Sequence, residues 1–132
     1  MRSITVEKLL RDNRQDLGLR IYAGRAGKDR KIETPRIQKS ALLFAGIFRA
    51  FHPDRIQVAS EAERLFFGSL VEEKKKAVIE KLISSHVPCL IFADGVKPPP
   101  ELRRAASEKA FPVLVTEMDV STVIEKLMSY LS

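Results

Sequence analysis

The stretch Val87–Glu101, VPCLIFADGVKPPPE, decides the fold. Val87 to Ala93 form an unbroken apolar run, closed off by turn residues. Such a run reads as a central strand covered on both faces. Gly95 then supplies the freedom for a positive φ, and Pro98 to Pro100 stiffen the connection. Pro100 suits the first position of a helix, and Glu101 in the first turn complements the helix dipole. A strand, a tight turn and a helix start make up the repeating unit of an α/β sheet, whose strand ends often hold ligands. Two readings of the corner follow. As a site, the helix start could face an anion, with Asp94 or Lys97 as selectivity groups. As a corner, it only redirects the chain. Three prolines remove three N–H donors where an anion would need them, so the corner is the favoured reading.

Working outward, Thr5 is placed to cap a short helix carrying Val6, Leu9 and Leu10 on one stripe. Leu17, Leu19 and Ile21 alternate with polar residues, as in a half-buried strand. Gly24 and Gly27 mark a turn-rich connection. An extended segment follows near Ile32–Ile37, where Pro35 argues for an edge or a bulge. The segment from Ser40 to Phe51 reads as a helix with Leu43, Gly46, Ile47 and Phe51 on one face. Arg55–Ala59 reads as a strand and Ala62–Phe67 as a short helix. Ser69 with Glu72 has capping-box spacing for a further helix that turns Val71, Val78, Ile79 and Leu82 inward. Phe111–Thr116 repeats the buried-strand pattern. The last helix carries Val120, Val123, Ile124, Leu127, Met128 and Leu131 on one stripe. Strands and helices alternate from residue 55 onward. The expected fold is a single α/β domain over residues 1–132, a layered sandwich with a mixed, partly parallel sheet flanked by helices.

A chain of 132 residues, 45% of them hydrophobic, can bury a core without staples. One cysteine, Cys89, permits no internal disulfide, and the N-terminus lacks a signal-peptide core. A cytoplasmic location with no membrane span is the expectation. The net charge of +6 is uneven: residues 1–55 carry 13 basic and 6 acidic side chains, a net of +7. A basic half can attract RNA, acidic protein or phosphate. Without aromatic interleaving or a long basic run, a solvated face is the simpler reading, and nucleic acid is disfavoured as a partner.

Candidate chemistry is sparse. Neither a Walker phosphate loop nor a G-x-G-x-x-G occurs, and no helix pattern follows the glycines of GRAG at 24–27. His52, His86 and Cys89 make a poor metal set. His52 sits in a turn, and His86 is expected at a helix end, near the negative pole of its dipole. Cys89 in an apolar strand reads as an inert thiol. Glu61/Glu63 and Glu72/Glu73 fall in charged helical regions, with a solvent-facing explanation for each. We therefore assign no catalytic, cofactor-binding or metal-binding residue from the sequence.

Several segments together resemble one family. LRIYAGRAGKDRKIE, LLFAGIF, FHPDRIQV, VPCLIFADGVKPPPELRRAA and STVIEKLMSYL are similar in order and spacing to the N-terminal domain of bacterial HPr kinase/phosphorylase, from about Ile4 to Leu131. The most specific parts are Arg55-Ile56-Gln57 and Pro88 through Leu102. The resemblance implies a parent enzyme that phosphorylates a serine of the phosphocarrier HPr with ATP or pyrophosphate and Mg, and also removes that phosphate, in carbon catabolite regulation. Its catalytic phosphate loop would belong to a C-terminal kinase domain, so no catalytic role is carried onto these residues. The resemblance further implies a homo-oligomeric parent, and a fold similar to the N-terminal domain of UDP-muramoyl-peptide ligases. The sequence departs from the family at Lys39-Ser40, in place of a proline–glycine pair, and at Ser60, in place of a glycine. The expectation is a non-catalytic domain with an assembly or regulatory role. The alternatives are a stand-alone small-ligand or nucleotide sensor and a nucleic-acid-binding module using the basic half.

Overall fold

The computed structural model describes residues 1–132. In chain order the elements are β1 (Ile4–Thr5), α1 (Val6–Asp12), α2 (Arg14–Leu17), β2 (Arg20–Ala23), a 3₁₀ turn (Arg25–Gly27), β3 (Lys31–Ile32), β4 (Ile37–Lys39), α3 (Ala41–Phe44), β5 (Ile56–Ala59), α4 (Glu61–Gly68), α5 (Glu72–Ser84), β6 (Leu90–Phe92), α6 (Pro100–Lys109), β7 (Val113–Val115) and α7 (Val120–Leu131). The main sheet has the order β2-β7-β6-β5-β4. Strands β4 to β7 are mutually parallel, and β2 runs antiparallel to β7 at the far edge. As the apolar run of 87–93 requires, β6 lies in the centre. Leu90 sits between Gln57 and Val113, and Ile91 between Val58 and Leu114.

Alternation along β6 builds two cores. Leu90 and Phe92 face one side, where they meet Leu43 and Phe44 of α3, Phe67 of α4, Val78 and Leu82 of α5, and Leu102 and Ala106 of α6. Cys89, Ile91 and Ala93 face the other side, against Val6, Leu9 and Leu10 of α1 and Val123, Leu127 and Leu131 of α7. The result is a three-layer sandwich with helices on both faces. Helices α3 to α6, the crossovers between the parallel strands, all share one face, and the strands advance 4-5-6-7 without reversal. The parallel part therefore has no point where neighbouring crossovers diverge to opposite faces, the place where open α/β sheets usually form a ligand crevice.

Several expectations need correction. The helix from Ser40 stops at Phe44 rather than running to Phe51. Gly46 takes φ 83°, its N–H donates to Leu43 O, and Ile47 N–H donates to Leu42 O. This pair of bonds is a Schellman termination, and glycine is the residue that fits its left-handed position. Ser69 does not cap α5; it ends α4, and Val71 at the N-cap of α5 is 67% exposed rather than inward. The capping-box spacing that matters is Ser60 with Glu63 at the start of α4. Leu17 belongs to α2, not to the strand that follows Gly18. The extended segment of 32–37 splits: β3 pairs antiparallel with β1 in a separate two-stranded sheet, and β4 joins the main sheet. Met128 lies on the outer flank of the α7 stripe and is exposed.

Candidate functional site

The corner after β6 forms from a two-residue reversal. Asp94 and Gly95 have φ of 60° and 68°, and Val96 N–H closes the turn on Ala93 O at 3.1 Å. The amides that could have faced an anion are already used: Asp94 N–H donates to Met118 O at 2.8 Å, and Gly95 N–H to Thr116 O at 3.0 Å. A Cβ on Gly95 would collide with the Glu117 carboxylate. Pro98 and Pro99 are buried, whereas Asp94 and Lys97 face solvent on a turn whose own backbone is committed. The corner thus fastens β6 to the segment between β7 and α7. Thr116 extends the fastening, since its hydroxyl donates to Leu17 O at the end of α2. At the base of α6, Lys75 reaches Glu101 at 3.5 Å and Glu72 at 3.6 Å, tying α5 to α6.

A polar cluster at the ends of β4 and β5 was not legible beforehand. Glu63 is fully buried, which overturns its solvent-facing explanation; Glu61, Glu72 and Glu73 do face solvent. The Glu63 carboxylate accepts from Ser60 N–H at 2.6 Å, Ser60 Oγ at 2.9 Å and Lys39 Nζ at 3.0 Å. Next to it, Ser40 Oγ donates to Gln57 Oε1 at 2.8 Å. The amide of Gln57, itself buried, donates to His52 O at 2.9 Å and Arg55 O at 3.2 Å. Gln38 completes the arrangement by accepting from His52 N–H and donating to Ala50 O. These bonds hold residues 50–55, the segment left irregular when α3 ends early. Lys39, Ser40 and Ser60, singled out in the sequence, all fall in this one cluster. Each contributes a side-chain donor to it.

The remaining sequence candidates do not converge. His52 and His86 are exposed at separate places, and His86 lies beyond α5 with φ 59°. Cys89 is buried beneath the sheet, and burial pushes its thiol up to about 12, with Arg30 opposing in part. Arg30 itself donates to Val87 O at 2.7 Å and lies over the Phe111 ring. No group of three or more His, Cys, Asp or Glu side chains is placed to hold a metal ion. No helix is long and apolar enough to cross a membrane. The basic half gathers in part at one place. Arg11, Arg14, Arg20, Arg25 and Lys28 line an open groove of about 970 Å³ beside α1, α2 and β2.

Fold and site together define a helix-flanked α/β domain whose strand-end loops are tied to each other rather than arranged around a reacting centre. The chain belongs to the family described as HPr Serine kinase N terminus, whose model matches residues 4–131. Among curated relatives, HPr kinase/phosphorylase of Geobacter sulfurreducens is 34% identical over 129 residues, covering 98% of this chain and 40% of that protein. The enzyme of the same name from Cupriavidus metallidurans is 34% identical over 131 residues, covering 98% and 41%. The chain thus spans about 40% of the length of these relatives. A solved structure of the CBS and DRTGG domains of the regulatory region of Clostridium perfringens pyrophosphatase, complexed with its activator diadenosine tetraphosphate, superposes with a TM-score of 0.57. It is 20% identical and covers 89% of this chain and 44% of that one. That likeness concerns the fold.

Proposed function

We propose that this chain acts as a non-catalytic assembly or regulatory domain of an HPr kinase/phosphorylase. The observation that carries the reading is the near-complete match, 98% of the chain, to enzymes of that name within only about 40% of their length. The committed amides of the Ala93–Val96 corner support it, because they leave that strand end as scaffold. On this reading the parent protein is a cytoplasmic homo-oligomer, its substrate is HPr, and ATP or pyrophosphate with Mg serves a kinase domain rather than these residues. Carbon catabolite regulation is the setting. A nucleotide-sensing role, suggested by the fold analogy to UDP-muramoyl-peptide ligases, rests on fold alone and is the weaker reading. The test is transfer of labelled phosphate from ATP or pyrophosphate to HPr by the isolated chain. The expected signal equals the no-protein blank. Transfer above the blank that a point substitution in this chain removes would overturn the non-catalytic reading.

A further inference from the structure

Strand β2 is an edge of the main sheet: one side pairs with β7 and the other with no strand. None of the turn, loop or cap hydrogen bonds uses a backbone group of Arg20–Ala23. The outward N–H and C=O groups of this strand are therefore open. Such an edge is a template for another strand unless it is covered, or blunted by proline, a bulge or charge. β2 contains no proline; its pairing with β7 shifts register between Ile21 and Ala23, and α6 lies over Tyr22 and Ala23 on one face of the sheet. The groove of about 970 Å³ runs beside it over Leu10, Leu17, Leu19 and Ile21. A second hollow of about 330 Å³ continues past Tyr22 to Gly24 and Ser107, sharing Ile21 and Arg25 with the first. Open backbone groups and the groove thus run along one line.

Charge selects the occupant. Arg14 and Arg25 take part in no ion pair, and Arg20 meets Glu117 only at 3.9 Å with both side chains exposed. We propose that the outer edge of β2 and its groove dock an extended acidic segment of another protein. The segment adds as a further strand beside β2 and sets carboxylates against Arg14, Arg20 and Arg25. Main-chain hydrogen bonds supply the affinity and the cations the selectivity, as in other cases of strand addition. A second copy of this chain fits poorly, since its own β2, Arg20–Ala23, carries no carboxylate to set against the three arginines. A compact polyphosphate fits poorly too, because Glu7, Asp16 and Glu117 line the same groove. An extended segment can space its charges between them.

The test uses the intact chain and a short synthetic peptide of alternating valine and glutamate. Amide chemical shifts and hydrogen exchange are read residue by residue. The expected result is new protection at Arg20–Ala23, binding that weakens as salt rises, and loss of binding when valine alternates with lysine. Methylating alternate backbone nitrogens of the peptide, which removes strand pairing but not charge, should abolish the protection. Arg14→Glu with Arg25→Glu should weaken binding severalfold; should that variant fail to fold, the peptide series on the native chain decides alone. Four results would overturn the proposal: no shift at β2, equal binding of the methylated peptide, inorganic tripolyphosphate reproducing the same shifts, or self-association through β2.

Discussion

Lys39 Nζ lies 3.0 Å from Glu63 Oε2, joining the end of β4 to the first turn of α4; the carboxylate side chain is fully buried and the lysine is 44% exposed. The pair is asymmetric. Removing the lysine leaves a buried charge supported only by Ser60, whereas solvent can compensate the ammonium.

Lys39→Met should therefore destabilise the chain by about 1–3 kcal/mol, the cost of leaving a buried polar group under-satisfied. Glu63→Ala should cost at least as much, because it also strips Ser60 of its acceptor. Urea melts of both single variants and of the double variant check this. A double variant much less destabilised than the two singles added together is expected for coupled partners. Losses under about 0.5 kcal/mol, a surface-like value, would contradict the burial.

Leu90 and Ile91 are adjacent in sequence but sit in opposite cores. Truncating either to alanine should cost about 2–5 kcal/mol. The two cavities are separated by the sheet, so the double variant should lose close to the sum. Chemical denaturation of the three variants measures it, and strong non-additivity would argue against the two-layer placement.

Tyr130 donates to Asp12 at 2.5 Å, and Lys8 approaches the same carboxylate oxygen at 2.8 Å. The Lys8 bond, followed by the Tyr130 bond, holds the Asp12 carboxyl below its ordinary range. Burial, helped by the Asp12 bond, pushes the Tyr130 phenol up to about 12. A carboxyl lowered in the folded state contributes stability above its unfolded pKa, and loses it as pH falls through the folded value. A phenol raised in the folded state contributes fully below about 10 and loses its contribution as pH rises toward 12. The melting-temperature gap between the native chain and Tyr130→Phe should be widest near neutral pH and close at both extremes. A gap independent of pH would refute the pairing.

Cys89, whose thiol is pushed up to about 12 by complete burial, should stay unlabelled by a thiol reagent at neutral pH and react fully once urea unfolds the chain. Stoichiometric labelling of the folded chain would place the residue elsewhere.

What the sequence makes legible follows from local patterning. The run of 87–93 marks β6, Pro100 marks the start of α6, and the stripe through Leu127 marks α7, because each is written within a few residues. The early end of α3 is not legible, since LLFAGIF reads equally as a continuing helix or as a glycine stop, and the Schellman bonds at Gly46 appear only in the folded chain. Glu63 looks like a solvent-facing member of an acidic pair because its partner Lys39 lies 24 residues earlier. The two-residue strands β1 and β3 are too short to carry a period. The groove at β2 draws its cations from α1, α2 and the 3₁₀ turn, and only the tertiary structure sets them side by side.

The central claim, that this domain serves assembly or regulation rather than catalysis, is tested most directly by a domain exchange. The region of the Geobacter sulfurreducens enzyme that aligns with this chain is either deleted or replaced by residues 4–131. The measurement is the sedimentation-derived oligomeric state of each protein, read alongside its HPr phosphorylation and dephosphorylation rates. The account predicts that deletion alters assembly or the balance of the two rates, and that residues 4–131 restore the native pattern. Deletion with no effect on either quantity, or an exchange indistinguishable from the deletion, would contradict it.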